Sequence, residues 1–347
     1  MRALARAHEV HVLTLRYPHR PPTYRVYGAH VQALGGGMGG GYRRAPLLAR
    51  ALLSLHREAQ RAPFDVLHGL WADEAGFVAA MAGRWLRTPA VVSLMGGELV
   101  GFADIDYGVQ LSRSGRRLAQ LALRLATGVT AGSRLLQAQA AQHVTPQRLH
   151  PLPLGVDTTL FAPAPPGAAS HPLRVLHVAS LSPVKEQATL LDAFALVARA
   201  LPGATLHVAG DGPLRPALQQ RAHAPDLAGK VHFLGAVPHD ELPNHYRAAT
   251  LFALSSRYES QNMAVLEAAA CGLPAVGTAV GILPDLLPPD CLAPAGDPAA
   301  LAQAMQRLLQ DEARRAAVAQ QVQAAVEQRY ALARTVPALL HLYRSLA

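Results

Sequence analysis

Residues 259–281 read ESQNMAVLEAAACGLPAVGTAVG. Val265, Leu266, Ala269 and Ala270 recur at helical spacing, so the stretch opens as a loop and becomes a buried helix over 262–271. Gly272 and Pro274 stop that helix, and the apolar run PAVGTA (274–279) then reads as a buried strand. Glu259 stands just before the helix start, where unpaired backbone N–H groups attract polar oxygens. Glu267 lies two turns on, among Ala, Val and Leu, where a carboxylate is costly unless something hydrogen-bonds it. A ribose with two adjacent hydroxyls would satisfy it. An ordinary helix-start acid and a surface glutamate with a buried stem explain the same two residues, and these residues alone do not separate the readings.

Outward from this stretch, strands and helices alternate, which argues for an α/β chain with parallel sheets covered by helices. Strands are expected at 9–15, 64–70, 89–95 and 127–133, with helices at 45–61, 74–86 and 112–126. A second series has strands at 173–180, 204–210, 230–237, 251–256 and 274–279. Its helices are expected at 187–200, 213–223, 239–248, 262–271, 298–310 and 311–329, with a last amphipathic helix at 331–347. Residues 151–172, PLPLGVDTTLFAPAPPGAASHP, are rich in Pro, Gly and Ala and read as a linker. The expected division is therefore 1–165, 166–330 and a C-terminal helix 331–347 returning to the first domain.

At 347 residues, half of them hydrophobic, the chain can build two cores. Apolar runs are short and interrupted, so no transmembrane span is expected. His8, Glu9 and His11 break the apolar part of the N-terminus, which argues against a signal peptide. Cys271 and Cys291 have no metal-ligand spacing, and a cytosolic chain is not expected to pair them. The charge is lopsided: residues 1–165 hold 18 Arg and no Lys against 9 acids, a net of +9. Residues 166–347 hold 12 Arg and 2 Lys against 14 acids, a net of 0. An anionic membrane surface, an anionic acceptor or a plain solvated face would each suit the basic half. Nucleic acid is not an expected partner, because no binding motif or basic–aromatic ladder accompanies the arginines.

The cluster GGGMGGG (35–41) imitates a phosphate loop, but no strand is evident before it, so a mobile surface loop is expected. In the second half, Lys185 sits in the turn before a helix, placed to hold a diphosphate together with helix N–H groups. VAGDGP (208–213) ends a strand in a tight turn at Gly210 and Asp211, where backbone can approach a ligand closely. FLGAVPHDEL (233–242) brings a strand end and turn, Val237 included, where backbone groups could read a nucleobase edge. All these turns lie at carboxyl ends of strands, where open α/β sheets bind ligands.

Together these segments resemble the retaining glycosyltransferases of family 4, with the GT-B fold of two facing Rossmann-like domains. The resemblance spans nearly the whole chain and is most specific over 173–297, where SSRYESQNMAVLEAAACGLPAV matches a signature with two glutamates separated by seven residues. It implies transfer of a sugar from a nucleoside diphosphate sugar, with retention and without a required metal or other cofactor. The acceptor implied is a glycan or lipid-linked molecule of envelope or extracellular polysaccharide synthesis. Glu267 would hold the ribose and Glu259 would face the donor sugar. Backbone amides at Gln261, Asn262 and Met263 would meet sugar or phosphate, and Lys185 would stabilise the leaving diphosphate.

Three departures bear on that reading. The family pairs its lysine with a preceding arginine, whereas Ala179 and Ser180 stand here, and Ser180 offers only a neutral hydrogen bond. A strand-end histidine of the first domain is replaced by Met95 in SLMGGE, leaving Gly96, Gly97 and Glu98 as acceptor-side groups. His68 is a further acceptor-side candidate, or else a satisfied core histidine. Family members also begin with a strand, a glycine-rich loop and a helix, and Met1 falls near the end of that helix. The N-terminal domain is therefore expected to lack its first strand. A nucleotide-sugar-binding relative without turnover is the alternative reading. Either way the chain is expected in the cytoplasm, on or near the inner face of the membrane.

Overall fold

The computed structural model describes residues 1–17, 22–37, 44–164 and 173–347. These form two compact units. Unit 1 comprises Met1–Gly132, Gln137–Leu152 and Val336–Ala347; unit 2 comprises Ser133–Leu136 and Pro153–Thr335.

Unit 1 opens with β1 (His11–Thr14), β2 (Thr23–Val26) and β3 (Ala29–Ala33), in the order β1-β3-β2. β1 runs parallel to β3, and β2 pairs antiparallel with β3 in the register Val26↔Ala29. The two residues between them, Tyr27 (φ 50°) and Gly28 (φ 89°), both take positive φ, as a tight hairpin turn with the right twist requires. Nothing in the sequence reading marks this hairpin. It also corrects the reading of the glycine cluster, since an ordered strand, β3, does precede Gly35. Residues 38–41 of the cluster lie outside the described residues. α1 (Arg44–Arg61) follows, then β4 (Leu67–Leu70), α2 (Glu74–Leu86), β5 (Ala90–Ser93), α3 (Arg113–Leu125), β6 (Gly128–Ala131), α4 (Arg134–Ala140, begun in unit 2) and β7 (Leu149–Pro151). β4 to β7 form a parallel sheet in sequence order. Ala90–Ser93 and Gly128–Ala131 are buried throughout, which is why both read as short, mostly apolar strands. Asp73 caps α2 by accepting from the N–H of Ala75.

Unit 2 carries β8 (Arg174–Val178), α5 (Gln187–Ala200), β9 (Thr205–Ala209), α6 (Arg215–Ala222), β10 (Val231–Gly235), α7 (Leu242–Arg247) and β11 (Leu251–Leu254). It continues through α8 (Met263–Ala270), β12 (Ala275–Thr278), α9 (Leu283–Leu286), β13 (Leu292–Ala293), α10 (Pro298–Gln310) and α11 (Glu312–Ala325), and begins α12 (Leu332–Leu346). Its strands form one sheet in the order β10-β9-β8-β11-β12-β13, with every pairing parallel. The winding reverses between β8 and β11, and the carboxyl ends of those two strands border a crevice suited to a ligand. Val175, Leu176, Leu206, Phe194, Phe252 and Tyr246 pack the core beneath. Asp297 and Asp311 cap α10 and α11, fixing where each helix starts. Where the periodicity suggests one helix over 311–329, the last turn, Val326–Tyr330, is π-helical and ends at Ala331.

Residues 151–172 differ from the expected linker. Val156 and Phe161 are buried, the N–H of Val156 bonds the carbonyl of Tyr330, and Arg247 holds the carbonyl of Ala162. Apolar side chains at 156 and 161 give this Pro-rich stretch something to bury, so its described part packs as structure; residues 165–172 lie outside the described residues. No helix among the described residues is long and apolar enough to cross a membrane.

Candidate active site

Lys185 and Glu259 come from the two loops that follow β8 and β11, the strands at the reversal. Lys185 ends a short 3-10 turn, Pro183–Lys185, closed by Glu186 in the left-handed region (φ 45°). Its Nζ lies 2.6 Å from Oε1 of Glu259. The same oxygen accepts from the hydroxyl of Ser256 at 2.7 Å and from Nδ2 of Asn262 at 2.9 Å. Glu259 is nearly buried, and three donors, one cationic, offset the cost of keeping it charged there. An ammonium carries three N–H groups, so one bond to Glu259 leaves donors for an anionic ligand.

α8 begins four residues after Glu259. Asn262 is its cap, at φ 80°, with Oδ1 accepting from the N–H of Val265. Gln261 plays a different part, since its amide accepts from the N–H of Leu154 and donates to that residue's carbonyl. Met263, at the first helical position, lies 3.8 Å from Gln261 Nε2 through its sulfur. Segment 259–263 is thus a locked loop whose side chains hold one another and whose helix N-terminus presents backbone N–H groups.

Glu267, on α8, is buried and bonded by both oxygens: Oε2 accepts from the Tyr246 hydroxyl at 2.9 Å, and Oε1 lies 3.3 Å from Nε2 of His239. Burial, then the adjacent carboxylate, pushes the Tyr246 phenol well above its ordinary range. Burial likewise drives the Cys271 thiol up to about 12, so it is inert as a nucleophile. Sequence reasoning misses both Tyr246 and His239. Tyr246 hides within an ordinary amphipathic pattern, and His239 in PHDE looks like a surface turn.

The turn at 210–212 differs from expectation. A Cβ on Gly210 (φ 137°) would fall 1.8 Å from the carbonyl of Ala179, so this glycine admits a neighbouring backbone segment rather than a ligand. Asp211 accepts from the N–H of Gly212 and from Arg215. Ser180 is exposed, with Oγ 3.3 Å from that of Ser182, and Val237 packs against the core edge. Beneath the Lys185 turn, Gln187 donates to the Ser180 carbonyl and lies 3.4 Å from Nε2 of the fully buried His177, whose Nδ1 is 2.9 Å from the Ala253 carbonyl.

In unit 1, the loop after β5 holds Gly96, Gly97 and Glu98. Glu98 is 0 % exposed. Its carboxylate accepts from the N–H groups of Ala72, Met95 and Gly96. Burial raises its pKa against the pull of those bonds. It is therefore a staple between the loops that follow β4 and β5, not the ligand-lining carboxylate expected. His68 is likewise internal: Nδ1 meets the Tyr343 hydroxyl at 2.5 Å, Nε2 meets Ser93 Oγ at 2.7 Å, and Ser93 passes to Thr130 at 2.5 Å. Burial lowers it to about 4, leaving a neutral ring that ties α12 to the sheet. Two of the basic half's arginines are consumed by Glu74 at the start of α2, which accepts from Arg16 and Arg44. Among the described residues, no three His, Cys, Asp or Glu side chains group as metal ligands would.

The D-inositol 3-phosphate glycosyltransferase of Kineococcus radiotolerans is 31% identical over 328 residues, covering 84% of this chain and 74% of that protein. Residues 172–311 match the sequence model for glycosyl transferases group 1, and residues 1–160 that for glycosyltransferase family 4. The chain belongs to the family 4 glycosyltransferases. Within that family it is 36% identical to the GDP-mannose-dependent alpha-(1-6)-phosphatidylinositol monomannoside mannosyltransferase of Mycobacterium tuberculosis over 149 residues, 39% of this chain and 39% of that one. The similarity of this family 4 chain thus spans from 39% to 74% of the length of those two curated relatives. Among solved structures, a sucrose-phosphate synthase from Thermosynechococcus elongatus superposes with a TM-score of 0.82 at 20% identity, over 99% of this chain and 90% of that one. HepE of Anabaena in complex with UDP-glucose superposes at 0.76 with 24% identity, over 92% and 87%. These likenesses establish the GT-B fold: parallel sheets in two α/β domains.

Proposed function

We propose that this family 4 glycosyltransferase moves a sugar from a nucleoside diphosphate sugar to a glycan or lipid-linked acceptor, retaining the anomeric configuration and using no metal. One observation carries the reading: the Lys185–Glu259 pair stands at the carboxyl ends of the two strands where the sheet reverses. As the sugar–phosphate bond breaks, negative charge grows on the leaving diphosphate, and a lysine already positioned there stabilises the transition state more than the ground state. Glu259, fixed through one oxygen, faces the donor sugar; Glu267, set by Tyr246 and His239, holds the ribose hydroxyls. The α8 N-terminus contributes N–H groups to sugar or phosphate.

With Ala179 and Ser180 where a second cation would stand, Lys185 carries more of the phosphate charge. Several relatives are named for action on phosphatidylinositol mannoside or inositol phosphate, which supports a polyhydroxylated, phosphate-bearing acceptor. Such a lipid-linked acceptor in envelope synthesis suits the net +9 of residues 1–165 and attachment to an anionic inner membrane face. On this reading unit 2, which holds Lys185, Glu259 and Glu267, is the donor-binding domain.

The experiment is a thermal-shift screen with UDP, GDP, ADP and their sugar conjugates, followed by transfer assayed with and without EDTA, the product anomer read by NMR. A ligand that binds only the native state raises Tm. The reading expects a selective shift with one nucleotide, a retained anomer, no loss with EDTA, and a kcat about 10²–10³ lower in Lys185→Ala. Donor binding without transfer or hydrolysis, for which the residues at 95, 179 and 180 speak, would instead make this a binding protein.

A further inference from the structure

Among the described residues of unit 1, Trp71 combines a bulky aromatic side chain, a left-handed backbone and an outward-facing position at the carboxyl end of the β4–β7 sheet. Its φ is 77°, a left-handed conformation that is strained for a bulky L-residue. It is nevertheless 44% exposed, so the strained backbone does not serve to bury the indole fully.

The surroundings are built to enforce this geometry. The Trp71 N–H bonds the Ser93 carbonyl, and the Trp71 carbonyl accepts from the N–H of Gly76. A Cβ on Gly76 would lie 2.4 Å from that carbonyl oxygen, so only glycine lets the turn fold inward there. The next residue, Ala72, donates its N–H to the buried Glu98, which also holds the N–H groups of Met95 and Gly96. On the facing loop, a Cβ on Gly96 would lie 2.2 Å from Cζ3 and 2.7 Å from Cη2 of the indole. Part of the ring therefore rests on bare backbone, while the residue keeps 44% of its surface open to solvent. Strained residues persist where the surrounding structure over-determines them, and they cluster at ligand sites.

We propose that Trp71 is an aromatic platform on which a ring-shaped polyol, a pyranose or a cyclitol, of the acceptor stacks. The inference rests on the reading of this chain as a sugar transferase and extends it to the acceptor. The chemistry follows from the surface offered. A six-membered polyol presents hydroxyls at its rim and C–H groups on its faces, and a fixed, half-exposed indole provides an apolar π face that binds C–H groups and excludes water. An acyclic polyol has no such face. Glu98 acts through Ala72 and Gly96 and is a positioning residue.

The test reads Trp71 directly. Trp85, the other tryptophan, stacks on His56 between α1 and α2. In the Trp85→Phe chain, indole emission therefore reports position 71 alone. This chain is titrated with myo-inositol, methyl α-D-mannopyranoside and methyl α-D-glucopyranoside, with glycerol and UDP as controls. A saturable change with at least one ring and none with glycerol is expected. No saturable change with any of the rings, or a change with UDP alone, overturns the proposal. Failure of the transferase reading is seen separately, as absence of a Tm shift with every nucleotide sugar. A second variant, Trp71→Gly, removes the ring and relieves the strained φ. It should keep a cooperative melt and the donor-induced shift, while its affinity for the ring that responded, read by calorimetry, falls about tenfold or more. An unchanged affinity overturns the assignment, and loss of the cooperative melt or of the donor-induced shift would mark Trp71 as a packing residue instead.

Discussion

Glu267 is held structurally and, under the proposed function, also binds the donor. Its two oxygens are set by Tyr246 and His239, so its orientation is fixed by the fold alone, and the proposed ribose would meet a carboxylate already in place. Removing the carboxylate acts on two things at once. In Glu267→Ala the buried Tyr246 hydroxyl loses its acceptor, costing about 1–3 kcal/mol of stability, and donor affinity falls by a similar amount. Tyr246→Phe removes only the donor to Oε2; it should cost about 1 kcal/mol in urea unfolding while shifting nucleotide-sugar Kd by less than about threefold. Paired urea melts and donor titrations read both. Equal losses of affinity in the two variants would mean that Tyr246 and Glu267 bind as one unit, and undiminished affinity in Glu267→Ala would remove it from the ribose.

Among the elements, α8 matters most, because its first turn organises Lys185 and Glu259 as well as the helix. Asn262 caps the helix, donates to Glu259 and adopts φ 80°. Asparagine tolerates positive φ better than most side chains, and glycine better still. Asn262→Gly therefore loses the cap but fits the backbone, whereas Asn262→Ala loses the cap and meets the strain. We expect alanine to be the more destabilising by about 1 kcal/mol, read as a difference in urea midpoint. Glycine proving the worse of the two would show that the side-chain bonds, not the backbone, govern this corner. A different lesson comes from the β2–β3 hairpin. Its Tyr-Gly turn lacks the Asn-Gly or Asp-Gly signal, and its strands are short, so it stays invisible until the pairing itself is seen.

At the level of the whole molecule, pH acts through buried histidines. His177 is fully buried under the Lys185 turn, and burial, its dominant cause, lowers it to about 4 from an ordinary 6.5. The folded state thus binds its proton later than the unfolded chain as pH falls. Stability from this group is fully present above about pH 6.5 and is lost progressively down to about 4, by on the order of 3 kcal/mol. His177→Gln keeps an amide donor for the Ala253 carbonyl and removes the titration. Against the parent, its unfolding free energy should be flatter between pH 6.5 and 4, and parallel curves would refute the assignment.

Periodicity and punctuation determined much of this protein. The alternation of apolar runs with amphipathic stretches marks the parallel sheets of both units, because a strand buried on both faces is mostly apolar and its few polar side chains must find partners inside. The spacing of Glu259 and Glu267 points to the candidate site, because a loop running straight into α8 carries the first acid before the helix and the second about one turn inside it. Tertiary structure alone decided which polar groups face inward. Sequence cannot tell a carboxylate that binds a ligand from one that staples two loops, as Glu98 does, since the difference lies in which backbone N–H groups the fold brings within reach. His68 and Gly210 follow the same rule: their partners, Tyr343 and the Ala179 carbonyl, are distant in the chain and adjacent only after folding. Trp71 is the converse case, a large aromatic residue that composition alone assigns to the core and that the turn after β4 holds in the open.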